Sequence, residues 1–173
     1  LEDRSTDYAD SSEMLLSPRE TMVGGQLTVS HGFSDGLTSF VSLSKGYKAG
    51  GFNLGLVPDE RREFEQEALW NLEVGIKSYW LNNTLNFNGS VFYSERSNQQ
   101  VRTSFQLVPN DPASFVFFTD NAAKGRTLGL EADLRWQANE SWQFYATVGF
   151  LKAEFKDFST PQIDLSGRRQ AHA

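Results

Sequence analysis

Cysteine is missing from all 173 residues, which removes disulfide frameworks and thiolate metal centres from consideration. Histidine is scarce too. His31 and His172 stand alone without ligand spacing, so no metal site is expected. No apolar run nears the ~20 residues that a membrane-crossing helix needs. Positive charge is in deficit: with a net charge of −6 and no basic patch, nucleic acid has no electrostatic support as a partner. The chain also lacks a nucleophile elbow, a phosphate loop and a dinucleotide fingerprint, so neither enzymatic activity nor a cofactor is expected. Leu1-Glu2-Asp3-Arg4 is polar where a signal peptide would be cationic and then apolar, and the chain stops abruptly at Gln170-Ala171-His172-Ala173. Both ends are expected to be cuts through a longer protein.

Aromatic residues, by contrast, are plentiful at 13%, and many fall into a rhythm of two. The clearest run is Ala68 to Trp80. Trp70, Leu72, Val74, Ile76 and Trp80 occupy one face, broken only by Ser78, while Asn71, Glu73, Lys77 and Tyr79 occupy the other. Period two with one apolar face predicts a strand. About ten residues at ~3.3 Å rise, tilted by about 45°, put roughly 23 Å between the two Trp side chains, close to the apolar band of an outer-membrane barrel. Such a strand would meet lipid on one side and water on the other.

The pattern recurs along the chain. After a polar, irregular stretch over residues 1–20, a first run covers Val23 to His31 and turns at Ser34-Asp35-Gly36. Leu37 to Lys48 returns, with Phe40 out of pattern. A long loop follows from Ala49 to Gln66, and then the strand to Trp80, which turns at Leu81-Asn82-Asn83. Thr84 to Ser94 alternates best. A second long loop is expected from Asn98 to Ser114, with Pro109-Asn110-Asp111-Pro112 at its tip; Phe115 to Thr127 is open between strand and folded loop. Leu128 to Trp136 comes down, Ala138 to Ser141 turns, Trp142 to Glu154 goes up, and a third loop starts near Asp157 and runs past Pro161.

Six strands, three short turns and three long loops result, with all long loops at one end, as antiparallel hairpins require. Segregation of loop length predicts an all-β, antiparallel up-and-down transmembrane barrel in the bacterial outer membrane. Trp80, Trp136 and Trp142 lie beside short turns and Trp70 at the other end of its strand, the placement of a membrane girdle. Two alternatives remain at this point: a small standalone barrel acting as adhesin or pore, and a soluble carbohydrate-binding β-sandwich.

The stretch Lys45-Gly-Tyr-Lys-Ala-Gly-Gly-Phe-Asn53 resembles the barrel of TonB-dependent outer-membrane receptors, where a strand of this kind leads into an extracellular loop. The resemblance continues through Glu67 to Ser78, Phe92-Tyr93, Gln99-Gln100, Asn121-Ala122-Ala123, Gly129 to Asp133 and Gly167. It implies an incomplete segment, residues 1–173, of a barrel of about 22 strands, with the plug domain and final strands absent. The implied role is TonB-driven uptake of a scarce nutrient, most often a ferric siderophore. Implied partners are the lipid bilayer, lipopolysaccharide, TonB with its inner-membrane complex, and the nutrient.

Candidate residues follow from placement. Lys45, Tyr47, Lys48, Asn53, Arg61, Arg62, Arg102 and Arg126 lie near the outer loops, where cations and aromatics can hold an anionic ligand. Glu73, Lys77, Glu131, Asp133 and Arg135 share the polar faces and are expected to line the lumen. Glu131 and Asp133, roughly 7 Å apart along a strand, fall in the range of a glycosidase pair. A wet barrel wall carries such groups anyway, and that reading is preferred.

Overall fold

The computed structural model describes residues 1–9, 15–111, 113–158 and 164–170. Pro112, Pro161 and His172 lie outside them. In chain order the strands are β1 (Glu2–Ser5), β2 (Tyr8–Ala9), β3 (Leu15–Leu16), β4 (Arg19–Met22), β5 (Gly25–Ser34), β6 (Leu37–Lys48), β7 (Gly51–Phe52), β8 (Glu63–Phe64), β9 (Glu67–Trp80), β10 (Leu85–Gln106), β11 (Phe115–Gln137) and β12 (Gln143–Phe158). Among the described residues there is no α-helix, only a short 3-10 turn at Asp59–Arg61.

Six strands form one antiparallel sheet in the order β5-β6-β9-β10-β11-β12, the up-and-down order the alternation predicts. No second sheet packs across it among the described residues, which removes the sandwich. Its end strands β5 and β12 do not pair with each other, so the sheet does not close as a small standalone barrel. Short turns join β5 to β6, β9 to β10 and β11 to β12 at one end. The middle turn places Leu81, Asn82 and Asn83 successively at φ 53°, 55° and 66°; asparagine tolerates this region far better than a leucine does.

Register aligns the alternation into bands. Val29, Val41, Val74, Val91, Leu130 and Phe150 are direct neighbours across all six strands, and Leu27, Leu43, Leu72, Tyr93 and Leu128 form the band next to it, which on β12 gives way to Lys152 of the charged rim. These apolar side chains stand about half exposed, Val74 at 43% and Phe150 at 63%, because they have no protein to pack against. Ser78, the break in the row, is 1% exposed, and its hydroxyl donates to the Phe87 carbonyl oxygen at 2.9 Å. A polar group in the apolar row is thus satisfied within the sheet.

Five expectations change. Residues 1–20, expected to be irregular, carry short paired strands, β1 with β4 and β2 with β3. The sheet's first strand runs Gly25–Ser34, so Val23 precedes it. Phe40 is not a register error: it directly faces Gly75 on the polar side, and a Cβ at Gly75 would lie 2.5 Å from its ring. The second long loop is largely strand, because β10 continues to Gln106 and β11 begins at Phe115, leaving only residues 107–114 as the connection. Alternation hid this extension because the register slips between Arg96 and Gln99 and again between Gln99 and Gln100, with Asn98 at φ 50°. β12 likewise runs past Asp157, to Phe158.

The buried hydrophobics Met22, Val57, Phe118, Ala123, Ala153 and Phe158 lie toward the loop end of the sheet. There the 49–66 connection contains its own small ribbon, β7 with β8, and β4 with β1 lies beside it. Arg4 donates to the Gly50 carbonyl oxygen at 3.3 Å, and the Gly50 amide donates to Glu20 at 3.1 Å.

Candidate functional site

Three zones emerge from this register. The first is the polar face, which curves around an open hollow of about 490 Å³ lined by Phe40, Glu73, Lys77, Asn88, Glu131 and Asp133 among others. Alternate positions of β6, β9, β10 and β11 put these side chains together. Asn88 donates to Asp133 at 2.9 Å across the β10–β11 pair. The Lys77 ammonium stands 5.8 Å over the Phe40 ring, and the Arg135 guanidinium 5.5 Å over Tyr145. All five residues expected on this face occupy it by strand parity. One further aromatic punctuates it: besides Phe40 on Gly75, the Phe92 ring covers Gly129, its direct cross-strand neighbour, leaving no room for a Cβ there. Aromatic rings laid over glycines pin register in a sheet.

The second zone is a charged rim on the apolar face. Lys45, Trp70, Glu95, Arg126 and Glu154 are neighbours across five strands and end the apolar bands. Lys45 stands 5.5 Å over the Trp70 ring. Arg126 and Lys152 bind Glu154 at 2.9 and 2.7 Å, and Lys156 reaches Glu95 at 3.0 Å. Beyond the bands, Lys152 and then Arg126 hold the Glu154 carboxyl below the ordinary range; for Glu95 the Tyr93 hydroxyl does so first, then Lys156. At the opposite end Trp136 and Trp142 flank Phe144 in stacked geometry, at 5.6 and 6.3 Å, and Trp80 adjoins Leu85 in register beside them.

The third zone is the crown formed by the 49–66 connection and the upper β10–β11 hairpin. Asn53, 7% exposed, donates to the carbonyl oxygens of Arg61 and Thr119 and accepts from the Thr119 amide. Asn121 accepts from the Glu65 amide and donates to the Glu65 and Asn98 carbonyl oxygens. Gln100 donates to the carbonyl oxygens of Ala49 and Glu65, and its amide donates to the Glu67 carboxylate. Arg61 pairs with Asp120.

The eight candidate ligand residues do not converge on one pocket. Lys45 and Tyr47 point to the apolar side, Lys45 over Trp70 and the Tyr47 hydroxyl donating to Glu2 at 2.7 Å. Lys48 lies on the other strand face, opposite Glu67. Asn53 and Arg61 hold the crown together. Arg62 is buried and donates to the Gly55 and Val57 carbonyl oxygens, fastening its own loop. Arg126 belongs to the rim. Arg102 remains, exposed, 5.3 Å over the Phe117 ring. Residue-by-residue reading did not foresee the crown's amide network of Glu65, Gln100 and Asn121; the available signal was a cluster of amides flanking an interrupted alternation.

The family model described as "TonB dependent receptor-like, beta-barrel" matches residues 3–170. The ferric yersiniabactin uptake receptor of Yersinia pestis shares the fold, with a TM-score of 0.67 and 18% identity over 90% of this chain and 22% of its own. The ferripyoverdine receptor of the outer membrane of Pseudomonas aeruginosa, solved with ferripyoverdine bound, gives 0.62 and 19% over 91% of this chain and 20% of its own. The chain thus spans about a fifth of the length of these solved receptors. A sheet with one apolar face, one polar concave face and a looped outer end, matched over nearly its whole length, belongs to the TonB-dependent receptor family, as six strands of its outer-membrane β-barrel.

Proposed function

We propose that this segment serves a receptor that takes up a scarce nutrient, foremost a ferric siderophore, with energy relayed by TonB and its inner-membrane complex. The observation that carries the reading is the division of the sheet into an apolar face and a polar, concave one. In this reading residues 1–173 are part of the barrel wall, and a plug domain elsewhere in the receptor fills the hollow. Glu73, Lys77, Glu131, Asp133 and Arg135 then face the lumen, and the apolar bands face lipid. Trp70 marks the outer interface, where the rim meets lipopolysaccharide; Trp80, Trp136 and Trp142 mark the periplasmic one. The two solved receptors that share this fold are named for ferric siderophores, which supports iron as the cargo. Chemistry on a bound substrate is not part of the proposal: the wall solvates and positions, and the crown captures.

The test is transport. A strain deleted for the receptor should lose uptake of radioactive iron from its cognate chelate and recover it with the wild-type gene, only while TonB is present. Iron uptake that continues unchanged in the deletion, or that ignores TonB, would overturn the reading.

A further inference from the structure

Two interruptions lie close together in the β10–β11 ladder, and the second undoes the first. β10 carries an extra residue between Arg96 and Gln99, and β11 carries one, Ala122, between the partners of Gln99 and Gln100. Arg96 faces Gly125 and Val101 faces Asp120, the offset of an uninterrupted ladder. Bulges disrupt ladder pairing and re-aim side chains; this pair leaves the register as it was, so only the aim has changed. A continuous strand would turn Gln99 to the face away from Arg96. The bulge brings both over Gly125, where an added Cβ would lie 2.7 Å from the Gln99 side-chain oxygen and 3.7 Å from the Arg96 Cβ.

Separate parts of the chain hold this bulged form from its two sides. From the 49–66 connection, the Glu65 carboxylate accepts from the Asn98 side chain at 3.1 Å and the Glu65 carbonyl oxygen from the Gln100 side chain at 3.0 Å. Asn98 meanwhile sits at φ 50°, which a continuous strand does not use. From the segment after β12, the Gln170 side chain donates to the Gln99 side-chain oxygen at 3.2 Å. That segment runs back along β12, with the Gly167 amide donating to the Phe155 carbonyl oxygen and the Gln170 amide to that of Ala153. We propose that the bulge pair is a two-state coupling element between the 49–66 connection and the 164–170 segment. Because the register is the same above and below, the bulges can cancel, placing Asn98 opposite Ala123 without moving the wall. Gln99 then turns away from Gln170, and Asn98 leaves the left-handed region and Glu65. Both partners thus bind the bulged form alone, and each strengthens the other's hold by the same factor. The coupling is independent of the cargo carried.

The experiment follows amide hydrogen exchange in the whole receptor in detergent. The Glu65 amide, which donates to the Asn121 side chain, reports on the connection, and the Gly167 amide on the segment after β12. Gln170→Ala is expected to quicken exchange at Glu65 by about fivefold or more, and Gln100→Ala to do the same at Gly167. Asn98→Val, whose β-branched side chain resists a positive φ, should quicken both. Exchange at Val74, in the wall below, should stay level in all three, and heat-modifiable gel mobility establishes that each variant barrel is folded. A purely local role gives a different pattern: exchange quickens at Gly167 alone in Q170A and at Glu65 alone in Q100A. That pattern overturns the coupling, and so does unchanged exchange at both positions in the valine variant.

Discussion

Asn53 grips Thr119 twice: its side-chain amide donates to the Thr119 carbonyl oxygen and its side-chain oxygen accepts from the Thr119 amide, both at 2.7 Å. One side chain thereby imitates a strand neighbour at the free edge of β11. Replacing Asn53 with Ala leaves those groups without their partner, at about 1–3 kcal/mol for a buried site. Hydrogen exchange at Thr119 should quicken by roughly ten- to a hundredfold, and residues of the 49–66 connection should quicken with it. Unchanged exchange at Thr119 would show that the grip contributes nothing. Asn53→Asp loses both donated bonds but can still accept from the Thr119 amide, so exchange there should fall between wild type and Ala.

The glycines under Phe92 and Phe40 behave differently on substitution. The three atoms nearest a Cβ at position 129 all belong to the Phe92 ring, whereas at position 75 the Gly89 carbonyl oxygen, at 2.9 Å, stands among them. Gly129→Ala is expected to cost about 1–3 kcal/mol as overpacking and to be partly rescued by Phe92→Ala. Gly75→Ala should resist rescue by Phe40→Ala. Thermal unfolding of the four variants and two pairs, followed by gel mobility, measures the two couplings; equal rescue in both pairs refutes the distinction.

Val74 sits midway between Trp70 and Trp80 on the apolar face. Val74→Arg should destabilise the inserted barrel by about 2–4 kcal/mol, while Ser90→Arg, on the concave face, should cost far less. A spin label at Val74 or Val91 should relax faster in lipid-soluble oxygen than one at Glu73. Equal oxygen access at positions 73 and 74 would contradict the two-faced sheet.

The rim responds to acid in a definite direction. Glu154 and Glu95 carry lowered carboxyl pKa values, so they contribute stability that is complete above the ordinary glutamate value and lost as pH falls through their folded values. Glu95 is exposed and Glu154 is half-buried beneath its two cations, and the contribution of such rim pairs is small. The unfolding midpoint of Glu154→Gln should sit below wild type at neutral pH, and the gap should close in acid. A gap that widens in acid would reverse the assignment.

Much of the wall was legible because lipid and water impose period two on each strand. Val74 against Glu73 and Leu130 against Glu131 announce their faces without any tertiary knowledge. Phe40 did not, since an aromatic on the polar face makes sense only once Gly75 is its neighbour. The hairpin above Asn98 was missed because slipped register breaks the period there. Ligand residues were legible only as types: Asn53 and Arg62 carry suitable groups, but the fold spends those groups on its own backbone, Asn53 across 66 residues and Arg62 within its own loop.

Register slips in β10, β11 and β12 all fall near one level, at residues 96–100, 121–125 and 155–157, where β9 also begins. Below that level a one-residue change would turn every following side chain over, so the wall tolerates little insertion or deletion. Above it, the slips absorb such a change before it reaches the bilayer. The fold thus has a seam: the crown can diversify by gain and loss of residues while the membrane-facing wall is inherited unaltered.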